Sequence, residues 1–247
     1  MNAIEIVDLK YRYLDGTEAL RGIRFAVAPG ECLALLGPNG SGKSTLLLHL
    51  NGILPETLAG GAVRIFGQPI TRQNLAAIRR EVGLVFQDPD DQLFCATVAE
   101  DVAFGPRQLG LTGPETDARV KKTLAQTGLT GFEQRATHHL SHGEKRRACL
   151  AGVLACEPRI LVFDEPTSDL DPRGRREFKA LLRELPATKI IATHDLELAV
   201  ELCPRTIILD RGEVIADGRT MALLADEALM LAHGLERPHI LHHLHPH

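Results

Sequence analysis
The residues Gly37, Pro38, Asn39, Gly40, Ser41, Gly42, Lys43, Ser44 and Thr45 run consecutively between a short apolar segment and a helix-length one. Glycines at this spacing let a loop turn tightly enough for its backbone N–H groups to converge. The helix that follows adds the positive end of its dipole. Such a loop is built to hold phosphates. Lys43 would reach the β and γ phosphates of a nucleotide as a mobile charge, and the Ser44 hydroxyl would be a ligand of Mg²⁺. A chance glycine-rich turn would need neither the strand before it nor the helix after it.

The run Ile160-Leu161-Val162-Phe163 ends in Asp164-Glu165, so an apolar strand delivers two adjacent carboxylates at its carboxyl end. That is the edge at which open α/β sheets bind ligands. Adjacency divides the labour. Asp164 would hold Mg²⁺, directly or through water, and Glu165 would orient and polarise the water that attacks the γ phosphate in line. A solvated turn after a strand is the ordinary alternative for a lone Asp-Glu pair, and the preceding phosphate loop is what outweighs it.

A third segment, Leu140-Ser141-His142-Gly143-Glu144, comes just before the carboxylate strand and opens a helix. Its first N–H groups and the Ser141 hydroxyl can bind an anion. Ser-x-x-Glu is also an ordinary helix cap, so position must decide between the readings.

The elements that carry these segments follow from the apolar pattern. Short β-rich runs at 33–36, 82–86, 160–163, 190–193 and 206–209 alternate with helix-length segments, which predicts an α/β chain with a mostly parallel sheet. Residues 4–13 alternate partially and precede a turn at Asp15-Gly16, which predicts antiparallel strands lying against the main sheet. Between Gln87 and Pro158 strand signals vanish. Capping boxes at Thr97/Glu100 and Ser141/Glu144, with a helix start at Pro114, predict an inserted helical subdomain. One domain of 247 residues results: residues 1–87 and 158–219 as the nucleotide-binding core, 88–157 as the helical insert, and 220–247 as a helix with a tail. That last segment holds six of the eleven histidines, and His239, His242, His243, His245 and His247 form a tail that could bind a transition metal or only do so adventitiously.

Composition narrows the function classes. A chain that is 44% hydrophobic can bury one substantial core, and a formal net charge of -4 gives no basic field for nucleic acid. No stretch reaches the ~20 apolar residues that cross a bilayer, and no basic flank with an apolar run opens the chain, so a cytoplasmic location is expected. Cys32, Cys95, Cys149, Cys156 and Cys203 contain no Cys-x-x-Cys pair and read as reduced thiols packed in apolar segments.

The segment from Leu140 to Glu144 resembles the signature sequence of ATP-binding cassette proteins, usually written LSGGQ, with His142 and Glu144 as departures. The resemblance extends from Tyr13 to His194. It implies that Tyr13 stacks on adenine and that Gln87, after strand 82–86, senses Mg²⁺ and a membrane partner. It further implies that Ser168-Asp169-Leu170-Asp171 communicates across a dimer and that His194 contacts the γ phosphate. The implied fold is the P-loop NTPase fold of that family: a mostly parallel sheet core, an antiparallel β subdomain and an inserted helical subdomain. ATP and Mg²⁺ are the implied cofactors. A homodimer or heterodimer, with the Ser141 segment acting on the partner's nucleotide, and integral membrane subunits are the implied partners, which makes the chain peripheral at the cytoplasmic face of the membrane.

Within the family, Phe86-Gln87-Asp88-Pro89-Asp90-Asp91-Gln92-Leu93-Phe94 and the stretch from Thr97 to Pro106 are similar to the ATPases of energy-coupling factor importers, in the cobalt and nickel branch. Gln92, Leu93 and Phe94 would line the groove that receives a helix of the membrane subunit. A vitamin importer of the same type is the sibling reading. A soluble cassette ATPase would carry coiled-coil insertions, zinc modules or a second cassette, and a small GTPase would carry Asn-Lys-x-Asp; the sequence contains none of these.

Overall fold
The computed structural model describes residues 1–55 and 61–236. In chain order these form β1 (Ile4–Arg12), β2 (Glu18–Val27), β3 (Cys32–Leu36), α1 (Lys43–Leu50), β4 (Val63–Ile65), β5 (Gln68–Pro69), α2 (Leu75–Glu81), β6 (Val82–Val85), α3 (Val98–Gln108), α4 (Gly113–Gln126), α5 (His142–Leu154), β7 (Ile160–Asp164), α6 (Pro172–Glu184), β8 (Thr188–Ala192), α7 (Leu196–Leu202), β9 (Arg205–Asp210), β10 (Glu213–Arg219), α8 (Thr220–Ala225) and α9 (Glu227–Ala232).

Two sheets result. The larger runs β10-β9-β3-β8-β7-β6, parallel except for β10, and the smaller runs β2-β1-β4-β5, antiparallel throughout. The central strands are apolar on both faces because both faces are covered. Their alternation sorts side chains into two cores. Leu33, Leu35, Ile160, Val162, Ile190 and Ile207 join Ile4, Ile23 and Leu46 between the sheets and α1, while Ala34, Leu36, Leu161, Phe163, Ile191 and Ile208 pack on Phe178, Leu182 and Leu198 of α6 and α7.

Residues 88–157 contribute a third core of their own, in which Val98 and Val102 of α3, Val120 and Leu124 of α4, and Ala148 and Ala151 of α5 are buried together. The Thr97/Glu100 and Ser141/Glu144 boxes both form, and a further box at Thr112/Glu115 starts α4, with Pro114 in its first turn. The turn after β1 is made by Gly16 N–H to Tyr13 O and Thr17 N–H to Asp15 Oδ1.

Three expectations change in detail. The strand expected at 82–86 ends at Val85, because the Phe86 N–H turns to the Gln92 side chain. The carboxy-terminal helix is two short ones, broken where the Asp226 side chain accepts the Leu229 N–H and starts α9. The five cysteines are free thiols, but Cys32 and Cys203 do more than fill space, since their sulfurs touch at 3.4 Å. Of the carboxy-terminal histidines, His233 pairs with Asp210 at 2.9 Å, and His239, His242, His243, His245 and His247 lie outside the described residues.

The helical unit meets the main sheet where β6 runs under α5. Gly83 makes that approach: a Cβ there would lie 2.4 Å from Val153 Cγ1 and 2.9 Å from the Pro158 ring. Neither a β-branched side chain nor a proline ring can swing away. Gly83→Ala should therefore lower stability by about 1–3 kcal/mol, read as a lower urea midpoint with an unchanged slope.

Candidate functional site
Four neighbouring parallel strands, β3, β8, β7 and β6, end on one edge of the larger sheet, and each releases a candidate residue there. The loop from β3 wraps back into α1 through Gly37 and Gly42, whose φ angles are 152° and 104°. A Cβ on Gly37 would sit 2.1 Å from Leu209 O, and one on Gly42 would sit 2.6 Å from Ala19 O. Glycine is required at both for closeness as well as conformation. Asn39 and Gly40 are exposed at the loop tip, and Ser41 is buried with its Oγ unpartnered. Lys43, the first residue of α1, curls over the loop and donates from Nζ to Gly37 O at 2.7 Å and to Pro38 O at 3.0 Å. Burial pushes its pKa down, against the opposing pull of Glu165 and Asp164.

Asp164 ends β7. One of its oxygens, Oδ1, is buried without a partner, and the carboxylate accepts a hydrogen bond from the Ser44 side chain. Burial pushes this carboxyl above the usual carboxylate range; the Ser44 bond pulls it back, and Glu165 beside it pushes further up. Glu165 follows with a left-handed φ of 47°. Its Oε2 accepts from the Thr193 hydroxyl at 3.3 Å, the His194 N–H at 3.2 Å and His194 Nδ1 at 2.8 Å, all at the end of β8. The Glu165 side chain is 9% exposed and that of His194 is 68% exposed, so the imidazole reaches from the carboxylate toward solvent.

Gln87 leaves the end of β6 and is exposed. With Ser44, Asp164, His142 and Asp169 it lines a cleft of about 630 Å³. Gln92 braces this segment by accepting from Phe86 N–H at 3.2 Å and donating to Cys149 O at 3.4 Å. Tyr13 stands at the other end of the loop, part exposed, with its hydroxyl 2.9 Å from Thr45 Oγ1 and Tyr11 packed edge-on against its ring.

The segment beginning at Leu140 divides its work. Leu140 is buried in the helical core, Gly143 faces Leu170, and His142 reaches the cleft. Ser141 is exposed at the start of α5, but its N–H and hydroxyl both donate to Glu144 Oε2 at 2.7 Å. Those bonds hold the Glu144 carboxyl below its usual range. The cap and the anion site expected there compete for the same donors. In the next turn Leu170 is core and Asp171 caps α6 by accepting Gly174 N–H at 2.7 Å, so within one chain these two serve folding. Asp169, at a left-handed φ of 59°, faces the cleft.

Sequence reasoning missed three contributors. Thr193 was read as a strand residue, yet its hydroxyl steadies Glu165. Asp195 caps α7 and accepts from Thr167 Oγ1 at 3.1 Å. Arg146, fully buried on α5, contacts the Glu165 turn. A charged side chain one turn after His142 on an otherwise apolar stripe was the available signal. A cation folded over the loop, a hydroxyl beside a carboxylate with an unpartnered oxygen and a second carboxylate held by histidine together fit phosphoryl transfer to water.

A family model described as ABC transporter matches residues 20–168. An energy-coupling factor transporter ATP-binding protein, EcfA of Methanothermobacter thermautotrophicus, is 48% identical over 95% of this chain and 76% of its own length. Among solved structures, cbiO1 from Clostridium perfringens, part of the ABC transporter complex cbiONQ, is 40% identical with a TM-score of 0.82 over 98% of both chains. The ATP-binding cassette MJ0796, a dimer in a post-hydrolysis state bound to ADP and Pi, is 27% identical with a TM-score of 0.78 over 88% of this chain and 98% of that one.

The raised carboxyl of Asp164 has a measurable consequence. The folded chain binds that proton more tightly than the unfolded chain, so this group's cost is greatest at neutral pH and is relieved as pH falls through its folded value. Asp164→Asn should raise the nucleotide-free melting temperature by about 2–4 °C near neutrality, with the gain shrinking on acidification in calorimetry. A variant that melts lower at neutral pH would contradict this assignment of the cost.

Proposed function
Because the chain belongs to the ABC transporter family of ATP-hydrolysing proteins, we propose that it is the motor subunit of an energy-coupling factor importer for cobalt or nickel ions. The observation that carries this reading is the meeting of Lys43, Ser44, Asp164, Glu165 and His194 on one sheet edge. ATP binds with its triphosphate along residues 37–45 and its adenine on Tyr13, whose hydroxyl bond to Thr45 sets the ring beside the loop. Lys43 exchanges its two loop carbonyls for phosphate oxygens.

The unpartnered buried oxygen of Asp164, next to the Ser44 hydroxyl, suits a hard cation that wants oxygen ligands, so Ser44, Asp164 and Gln87 would hold Mg²⁺. When bound, Mg²⁺ offsets the negative charge of the phosphates. Glu165 orients the attacking water and accepts its proton, and His194, anchored through Nδ1, extends its imidazole toward the γ phosphate.

The partners are a second ABC ATPase, identical or related, and integral membrane subunits. No nucleic acid is involved. Leu140, Ser141, His142, Gly143 and Glu144 of one copy close over the nucleotide of the other, with Ser168, Asp169, Leu170 and Asp171 at the seam. The similar cassette MJ0796, a dimer with bound ADP and Pi, supports the pairing of two cassettes. Loss of the bridging γ phosphate releases the clamp. Residues 1–87 with 158–219 act as the core, 88–157 as the signature subdomain, and 220–247 as an appended segment.

Beside Gln92, a groove of about 430 Å³ runs past Leu93, Phe94, Phe104 and Val153, with Phe94 65% exposed and stacked edge-on to Phe104. An apolar groove of this kind suits a helix of a membrane subunit. No helix among the described residues is long and apolar enough to cross a membrane. In this reading the chain sits at the cytoplasmic face, held by such a partner. The similarity of the segment from Phe86 to Pro106 to the cobalt and nickel branch is what favours those ions as cargo.

Two outcomes test this reading. Glu165→Gln should bind ATP as the wild type does while steady-state turnover falls by about 10³-fold or more; normal hydrolysis would remove Glu165 from the role of base. Purification from the native membrane should recover integral membrane subunits, with uptake stimulated by cobalt or nickel. Vitamin-stimulated uptake would move the cargo to the sibling importer class, and a partner set without a membrane protein would end the transporter reading.

A further inference from the structure
Arg146 is 1% exposed and is the bulkiest side chain so fully enclosed among the described residues. A guanidinium stays charged at any working pH, and burying one ordinarily calls for a carboxylate partner. Arg146 is met by neutral acceptors instead. Nη1 donates to Glu165 O at 3.1 Å, Nη2 donates to Ser168 O at 3.2 Å and to Ser168 Oγ at 2.7 Å, and Nε points at His142 Nε2 at 3.4 Å. A charge this expensive to bury is spent on the backbone of one turn.

That turn is strained at both ends, since Glu165 and Asp169 are non-glycine residues at φ 47° and 59°. Its closure depends on Glu165 O, which accepts from Arg146, from the Ser168 N–H at 3.2 Å and from the Ser168 hydroxyl at 2.9 Å. The direction of the Glu165 side chain is fixed by the same backbone. Arg146 sits on α5 one turn after His142, so this side chain links the start of that helix directly to the turn.

We propose that Arg146 is a positioning residue: its guanidinium holds the Glu165–Ser168 turn in the conformation that aims the Glu165 carboxylate, and ties that turn to His142 at the start of α5. The proposal rests on Glu165 being the group that activates water. It makes the helix that starts at Ser141 a mechanical input to hydrolysis, independent of any direct contact between that helix and the reacting phosphate.

The test uses the full chain with Arg146→Met, which fills the space without donors, and Arg146→Gln, which restores a neutral two-donor amide. ATP affinity and KM should stay within about threefold of wild type in both, while kcat falls at least about tenfold in Arg146→Met and recovers to within about fivefold in Arg146→Gln. If Arg146→Met fails to fold, Ser168→Ala stands in: it should lower kcat several-fold at constant KM, with Arg146→Gln adding little in the double variant. A folded Arg146→Met with kcat within about twofold of wild type would overturn the proposal, as would additive effects in that double variant or a parallel loss of ATP affinity and kcat. Glu165→Gln, run alongside, separates the failures. Normal turnover there defeats the reading of Glu165 itself, whereas an inactive Glu165→Gln with a fully active Arg146→Met defeats only the positioning role.

Discussion
Asp164 and Glu165 leave a fully buried strand side by side, and two carboxylates at the end of one strand are tolerable only if charge or hydrogen bonds arrive at the same point. The sheet order meets that demand. Strand β8, next to β7, brings the Thr193 hydroxyl and both donors of His194 to Glu165, and β3, one strand further, brings Lys43 and Ser44. With neighbouring strands about 4.8 Å apart, side chains from three of them can converge on one oxygen cluster without any long loop. Asp164 is the member left incompletely compensated. Its unpartnered oxygen and raised pKa are a local cost that a cation held there would relieve.

How much of this was legible depends on how each residue earns its position. Strands β3, β7, β8 and β9 could be read because burial on both faces leaves uninterrupted apolar runs, and the phosphate loop could be read because Gly37 and Gly42 are demanded by their own backbone. Capping boxes at Thr97 and Ser141 are local chemistry and formed as expected. What escaped lacks a local signature. β4 and β5 are three and two residues long, and β10 mixes polar residues with a register shift between Val214 and Ala216 that destroys its alternation. Arg146 reads as a surface charge until the fold supplies acceptors from residues nineteen and twenty-two positions away.

The helical unit has its own core, and it is joined to the sheet by α5, whose Cys149 and Leu150 are buried with Leu161 and Phe163, and by several specific contacts beside them. Leu93 packs against both that core and the one beneath α6, Gly83 lets Val153 and Pro158 close on β6, and Arg146 reaches the carboxylate turn. Two of these three line the groove at Phe94. Arg146 is the one of these contacts that reaches the turn carrying Glu165.

Glu144 bears on how an anion would reach Ser141. In the cap, its carboxylate occupies the N–H and hydroxyl of Ser141, with Arg135 3.6 Å from its other oxygen. An anion approaching Ser141 meets a negative charge already in place, so docking must displace Glu144 rather than add to it. The exchange is affordable, because a capping side chain contributes about 1 kcal/mol whereas hydrogen bonds to a phosphate are charge-assisted and stronger. Arg135 and the amino-terminal dipole of α5 remain to hold the released carboxylate nearby. A glutamine here could close the same box through its side-chain oxygen, so what Glu144 adds is a full negative charge beside the Ser141 donors.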